Sequence, residues 1–177
     1  MKKTLDLEHL SYSSISAYLA CARNWEFKYI KKLPSYSTPA LVVGSAVHNA
    51  VEYYLKSDRS TKPIEFLKPA WEAALGKGEI AWGADLPEAS YNEAVRLLSN
   101  EQVIYNLNTF PAQVIIEEKV ELHVPGIPIP IIGYIDIQTD GIPGDFKTSS
   151  RSWNQDQAQS ETQSLFYLAA LNQIGRT

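Results

Sequence analysis

The chain has 177 residues, of which 45% are hydrophobic, and this length and apolar content predict a single folded domain over residues 1–177. Its formal net charge of −4 argues against a protein that coats nucleic acid nonspecifically, because such binding requires Lys and Arg to neutralise phosphates. The sequence has no apolar run long enough to span a membrane, and its single cysteine excludes a disulfide framework or a four-cysteine cluster within one chain.

Helical spacing of apolar residues dominates the first part of the chain, residues 1–110. Four helices are predicted there, over residues 11–33, 40–56, 64–75 and 87–107. The first of them carries four basic residues close together, Arg23, Lys28, Lys31 and Lys32. Either a solvated helix end or a surface that contacts a nucleic-acid backbone would explain this cluster.

Strand patterns replace helical ones in residues 111–177. Three strands are predicted, over residues 114–124, 129–138 and 142–148, followed by a final helix over residues 154–174. This order predicts an α/β fold in which a small mixed β-sheet is flanked by helices. Residues 1–110 would form a helical N-terminal layer, and residues 111–177 would carry the functional site.

Three polar side chains follow apolar strand residues in this second part. Asp136 ends one apolar run, and Asp145 and Lys147 are two residues apart, so on a strand they would project from the same face. An acid within a strand must face solvent, a cation or a partner, because its unpaired burial is costly. Two carboxylates and a lysine suit metal-assisted phosphodiester cleavage, and a plain ion pair between Asp145 and Lys147 is the alternative.

Five segments along the chain form a wider pattern: Leu10–Tyr29, Gly44–His48, Gly133–Asp136, Asp145–Lys147 and Gln163–Tyr167. In this order they resemble the motifs of a RecB-type nuclease of the PD-(D/E)XK superfamily, similar to the CRISPR-associated exonucleases. The resemblance covers most of the chain. It implies one nuclease domain with a restriction-endonuclease-like core.

The resemblance also implies a divalent-metal site. Mg²⁺ or Mn²⁺ would be bound by His48, Asp136, Asp145 and the backbone carbonyl of Phe146. Asp136, Asp145 and Lys147 would be the catalytic residues, with Lys147 as the catalytic lysine. Because His48 lies in the apolar stripe of its predicted helix, a core histidine is the alternative interpretation.

Further residues follow from the same resemblance. An acid before the second strand often reaches the metal in related nucleases, and its spacing to Val120 favours Glu117 over Glu118. Gln163 and Tyr167 share a helix face and would contact DNA or brace the site. Apart from the resemblance, Trp153 lies in a predicted polar loop next to Arg151, just after the strand of Lys147. Both would contact DNA, Trp153 by stacking on a single strand, and packing of Trp153 in the core or a lid is the alternative. Four residues are therefore expected to contact DNA: Gln163, Tyr167, Arg151 and Trp153.

These residues predict a Mg²⁺- or Mn²⁺-dependent deoxyribonuclease, an exonuclease that acts on single strands or DNA ends in DNA processing, recombination or repair. A protein partner in a recombination or CRISPR-type complex is expected, and the absence of an apolar signal region predicts a cytoplasmic location. The alternative is a non-catalytic nuclease-fold module that binds DNA ends or docks on a helicase or recombinase.

Cys21 is the only cysteine of the chain. Relatives that hold an iron–sulfur cluster carry three further cysteines, so no such cluster is expected here. Helical spacing places Cys21 on one face with Tyr18 and Trp25, which predicts a small buried side chain with a structural role.

Overall fold

The computed structural model describes residues 7–84, 86–149, 156 and 161–176. The described residues group into two compact units whose segments alternate along the chain. The sheet unit comprises the described parts of Met1–Pro34, Glu117–Asp145 and Ser152–Thr177. The helical unit comprises those of Ser35–Ile116 and Phe146–Arg151.

A small mixed sheet is built around one long strand. In the described part of the chain its strands are β1 (Leu10–Ser11), β2 (Ile115–Leu122), β3 (Ile131–Thr139) and β4 (Ile142–Gly144). The strand β3 pairs with all three others, parallel to β1 at its start and antiparallel to β4 at its end. The predicted α/β class with a small mixed sheet is confirmed, although β4 ends at Gly144 and the prediction that it extends to Thr148 is wrong.

One helix covers a face of this sheet. It is α7 (Thr162–Gln173), and its apolar side chains share a core with those of β2 and β3. The buried members of that core are Val120, Ile131, Ile135, Phe166, Tyr167, Ala170 and Leu171. Gly133 allows the close approach, because a Cβ at this position would overlap the ring of Phe166.

The predicted first helix is divided in the structure. Its parts are α1 (Tyr12–Ala20), α2 (Ala22–Trp25) and a π-helix (Glu26–Ile30), and Cys21 between α1 and α2 has an extended backbone with φ −163° and ψ 102°. Tyr18 and Trp25 still meet edge to face, with ring centroids 5.4 Å apart. The prediction that Cys21 is buried is wrong: the thiol is exposed, because the extended residue interrupts the helical register that would have placed it beside these rings.

The helical unit is organised around α3 (Pro39–Lys56), which begins at Thr38, whose side chain accepts a hydrogen bond from the Leu41 N–H. Its other helices are a 3₁₀-helix (Pro63–Phe66), α4 (Leu67–Leu75), α5 (Pro87–Leu98) and α6 (Glu101–Thr109). The long helix predicted over residues 87–107 is two helices. Asn100 separates them, since its side chain accepts hydrogen bonds from the first N–H groups of α6.

No helix in the described ranges is both long enough and apolar enough to cross a membrane.

The contact at Gly133 predicts opposite effects of the same substitution at two glycines. Gly133→Ala should lower the free energy of unfolding by about 1–3 kcal/mol, because the added methyl group overpacks the contact between β3 and α7. Gly44→Ala should raise it by about 0.5–1 kcal/mol, because Gly44 lies within α3 with open space around its Cβ position. Urea denaturation of both variants measures the two changes. Equal effects of the two substitutions would contradict the proposed packing.

Candidate metal centre

Two aspartates come from adjacent strands of the sheet. Asp136 lies within β3, and Asp145 directly follows β4; both are half-buried, and Oδ2 of Asp145 is inaccessible to solvent. In the pairing of these strands Ile137 faces Gly144, so the register carried one step further sets Asp136 opposite Asp145. Opposed residues of an antiparallel pair have Cα atoms about 5 Å apart. Carried one residue past β4, the strand register therefore sets Asp136 and Asp145 opposite one another.

Asp145 is held by side chains of α7. The Gln163 Nε2 donates one hydrogen bond to Asp145 Oδ1 at 3.0 Å and a second to the Tyr167 hydroxyl at 2.6 Å. The Tyr167 hydroxyl in turn donates to the Tyr134 carbonyl at 2.5 Å. The Tyr167 hydroxyl oxygen also lies 3.4 Å from Asp145 Oδ1, and the Gln163 amide has its nitrogen toward the carboxylate.

Tyr167 lies in the core below this network. Only 3% of the residue is exposed, and burial raises the pKa of its hydroxyl, an effect to which the negative charges of Asp145 and Asp136 add. The phenol therefore keeps its proton at neutral pH and remains a hydrogen-bond donor. With its hydroxyl committed to the Tyr134 carbonyl, Tyr167 braces the sheet below Asp145.

The first turn of α7 is fixed independently. Glu161 precedes the helix, and its side chain accepts a hydrogen bond from the Gln163 backbone N–H at 3.1 Å. The Tyr12 hydroxyl donates to the same Glu161 carboxylate at 3.1 Å. The position of Gln163 thus depends on a helix cap that α1 helps to hold.

Glu117 and Glu118 differ sharply in their surroundings. The Glu118 carboxylate forms an ion pair with the Arg176 guanidinium, which also donates to Gln138 Oε1 at 2.9 Å. Glu117 takes no part in that pair; its Oε1 atom is buried, and its backbone is left-handed at φ 55° within β2. Such a conformation costs a non-glycine residue about 1–3 kcal/mol and is concentrated at functional sites. These features favour Glu117 over Glu118 as the acid directed to a site.

His48 lies in the helical unit, half-buried on α3. Its ring meets the ring of Phe146 edge to face at 6.4 Å, and Phe146 also contacts Phe110 at 6.3 Å. Glu52 lies one helical turn beyond His48, and the two side chains offer ligand atoms within 4.8 Å of one another. The Glu52 carboxylate also accepts a hydrogen bond from Lys56 at 2.5 Å. Glu52 was not among the residues predicted from the sequence, although its i, i+4 spacing from His48 was a usable signal.

The remaining predicted residues are less closely defined. Lys147 is exposed and follows the end of β4, so the argument that a strand would project Asp145 and Lys147 from one face does not apply. Arg151 and Trp153 lie outside the described residues. The roles of Lys147, Arg151 and Trp153 stay predictions.

One comparison with known proteins identifies the chain. The family model described as the PD-(D/E)XK nuclease superfamily matches residues 9–177. Neither the search of curated proteins nor that of solved structures found a significant match. The matched range includes both half-buried aspartates and every other residue of the predicted site.

The buried hydroxyl of Tyr167 predicts a change in stability with pH. Tyr167→Phe should lower the free energy of unfolding at neutral pH by about 0.5–1.5 kcal/mol, because the hydrogen bond to the Tyr134 carbonyl is lost. The raised pKa of Tyr167 stabilises the folded state below the pKa of an unfolded tyrosine, about 10, and this stabilisation is lost as the pH rises further. The advantage of the parent over the variant should therefore shrink between about pH 8 and about pH 10.5.

Urea denaturation at both pH values measures this difference. The matched control is Tyr105→Phe, since Tyr105 is 66% exposed and its substitution should change stability by less than about 0.5 kcal/mol. If the difference in the free energy of unfolding between the parent and Tyr167→Phe stayed constant across the pH range, it would contradict the raised pKa of the Tyr167 hydroxyl.

Proposed function

Because the chain belongs to the PD-(D/E)XK nuclease superfamily, we propose that it is a metal-dependent deoxyribonuclease. The observation that carries this proposal is the pair formed by Asp136 and Asp145, which the register of β3 and β4 sets opposite one another. Carboxylate oxygens are the ligands that Mg²⁺ and Mn²⁺ prefer, and two of them close together suit a hard divalent cation.

We propose that His48 and the Phe146 carbonyl complete the ligand set with the two aspartates. The contact between the His48 and Phe146 rings supports this assignment, because Phe146 directly follows Asp145 in the chain. One imidazole among oxygen ligands suits Mn²⁺ at least as well as Mg²⁺. When bound, such a cation lowers the pKa of a water molecule and offsets negative charge on the phosphate. Glu117 and Glu52 are further carboxylates that we assign to the surroundings of this ligand set.

The protein side chains have separate tasks in this proposal. Asp145 keeps one orientation because Gln163 donates a hydrogen bond to its Oδ1 atom. Lys147 supplies a positive charge that stabilises the transition state at the phosphate. Gln163 and Tyr167 act as positioning residues, since the hydroxyl of Tyr167 is committed within the core.

We further propose that the enzyme is a RecB-type exonuclease that acts on DNA ends or single strands in recombination or repair, in the cytoplasm and together with a protein partner. Arg151 and Trp153 would contact the strand, Trp153 by stacking on a base. The five motifs in their shared order support the subfamily, and the sequence offers no segment typical of base-specific recognition.

The ligand assignment predicts the loss of metal binding in one double variant. Asp136→Asn with Asp145→Asn should abolish the binding of Mn²⁺ seen by isothermal titration calorimetry, because neutral amides replace the two charged ligands. Asp140→Asn with Glu88→Gln removes the same charge from exposed positions and should leave binding unchanged. If both double variants bind Mn²⁺ like the parent, the cation does not bind at the aspartate pair.

The role of Lys147 predicts a loss of cleavage without a loss of metal. Lys147→Ala should lower the rate of cleavage of end-labelled DNA by about two orders of magnitude, since one transition-state donor contributes about 3 kcal/mol. Its Mn²⁺ affinity should remain within about threefold of the parent because the lysine is not a ligand. Lys77→Ala, at another exposed position, is the matched control.

The same assay tests the activity itself. Linear DNA should be degraded with Mg²⁺ or Mn²⁺ but not with EDTA, whereas circular single strands should persist because they offer no end. Cleavage of circular strands would show that the protein is an endonuclease and contradict the proposed exonuclease activity. Metal binding without cleavage of either substrate would favour the non-catalytic module.

A further inference from the structure

Four cations are concentrated in a short surface segment of the sheet unit. The basic segment, residues 23–32, contains Arg23, Lys28, Lys31 and Lys32, and all four are exposed. Glu26 is its only acid, so the segment carries +3, whereas the chain carries −4 and its other residues therefore carry −7. Positive charge, which attracts polyanions, is thus concentrated in one segment of an otherwise acidic protein.

Two of these cations are held by the same pair of side chains. The Glu26 carboxylate forms ion pairs with Arg23 Nη1 at 3.1 Å and with Lys31 Nζ at 3.2 Å. Both cations also lie over the Phe27 ring, 4.9 Å and 5.0 Å from its centroid. Because their side chains are already ordered, they lose less conformational entropy when they bind an anion.

The backbone of the segment sets the spacing of the cations. Glu26–Ile30 is a π-helix, in which the Lys31 N–H donates to the Glu26 carbonyl at 2.9 Å. Arg23 and Lys31 lie four residues before and after Phe27, and π-helical turns are frequent at functional sites. Lys28 lies over the Tyr29 ring at 5.3 Å, so three of the four cations rest on aromatic side chains.

We propose that the basic segment is a second nucleic-acid contact, one that binds the phosphate backbone of a strand without reading its bases. It shares no residue with the proposed metal ligands. The choice of nucleic acid among polyanions rests on the proposed function. Exposed lysines and arginines bind phosphates through their charge, and such contacts do not depend on the base sequence.

The test measures binding without cleavage. Fluorescence anisotropy with a labelled single strand of about 20 nucleotides, in EDTA and at increasing NaCl, gives the affinity and its dependence on salt. The variant is Lys28→Gln with Lys31→Gln and Lys32→Gln. The matched control, Lys62→Gln with Lys68→Gln and Lys77→Gln, removes the same charge from exposed positions of the helical unit.

The first variant should weaken binding at low salt by about tenfold or more and reduce the slope of log K against log[salt] by about 2, because three phosphate contacts contribute about 0.7 each. The control should change neither quantity. Replacement of the same three lysines by arginine should keep both near the parent values. Circular dichroism verifies that each variant is folded.

Three results would overturn the proposal: no binding by the parent, equal losses in the variant and the control, or displacement of the strand by polyglutamate as effectively as by unlabelled DNA. The last would indicate an acidic protein partner instead. Because the assay contains EDTA, it measures binding without cleavage. Binding that depends on the basic segment is therefore informative even in a protein that fails to cleave.

Discussion

The close contact between β3 and α7 is the constraint on which the arrangement of the aspartates depends. At Gly133 the helix meets the strand where a Cβ would not fit, so the ring of Phe166 rests directly on the backbone. This contact sets the height of α7 above the sheet, and therefore the reach of Gln163 and Tyr167 toward the end of β3. A helix displaced by the width of a methyl group would lengthen the 3.0 Å hydrogen bond to Asp145.

The polar network above that contact has a direction. Gln163 donates toward Asp145 and toward the Tyr167 hydroxyl, and the hydroxyl donates onward to the Tyr134 carbonyl. The amide can therefore present its nitrogen, and not its oxygen, to the carboxylate. The Asp145 carboxylate oxygen satisfies this arrangement because it accepts the hydrogen bond. The core thus orients a half-buried acidic side chain.

The sequence predicted the elements better than their interruptions. The apolar periodicity of α3 and the alternation along β3 were both readable, because each element buries one face. The break at Cys21 and the cap at Asn100 were missed, since apolar residues continue on both sides with helical spacing. The end of β4 at Gly144 was also missed, because an apolar and polar pattern cannot show where strand pairing stops.

The sequence indicated which residues belong to the candidate site, but it did not indicate which of them lie next to one another. Asp136 and Asp145 were noticed in the sequence because burying an unpaired acid in or next to an apolar strand is costly. Their opposition depends on the register of β3 and β4, which is a property of the paired strands and not of either strand alone. Glu52 was overlooked because its charge was consistent with an ordinary exposed helix position.

The left-handed backbone at Glu117 has an evolutionary consequence. Glycine adopts this conformation without steric cost, so a glycine at position 117 would relax β2. It would also remove a carboxylate with a buried oxygen. Stability and side-chain chemistry therefore favour different residues at this position, a conflict that is common where a residue is kept for its side chain. A search for thermostable variants of this protein would select glycine here and lose the acid.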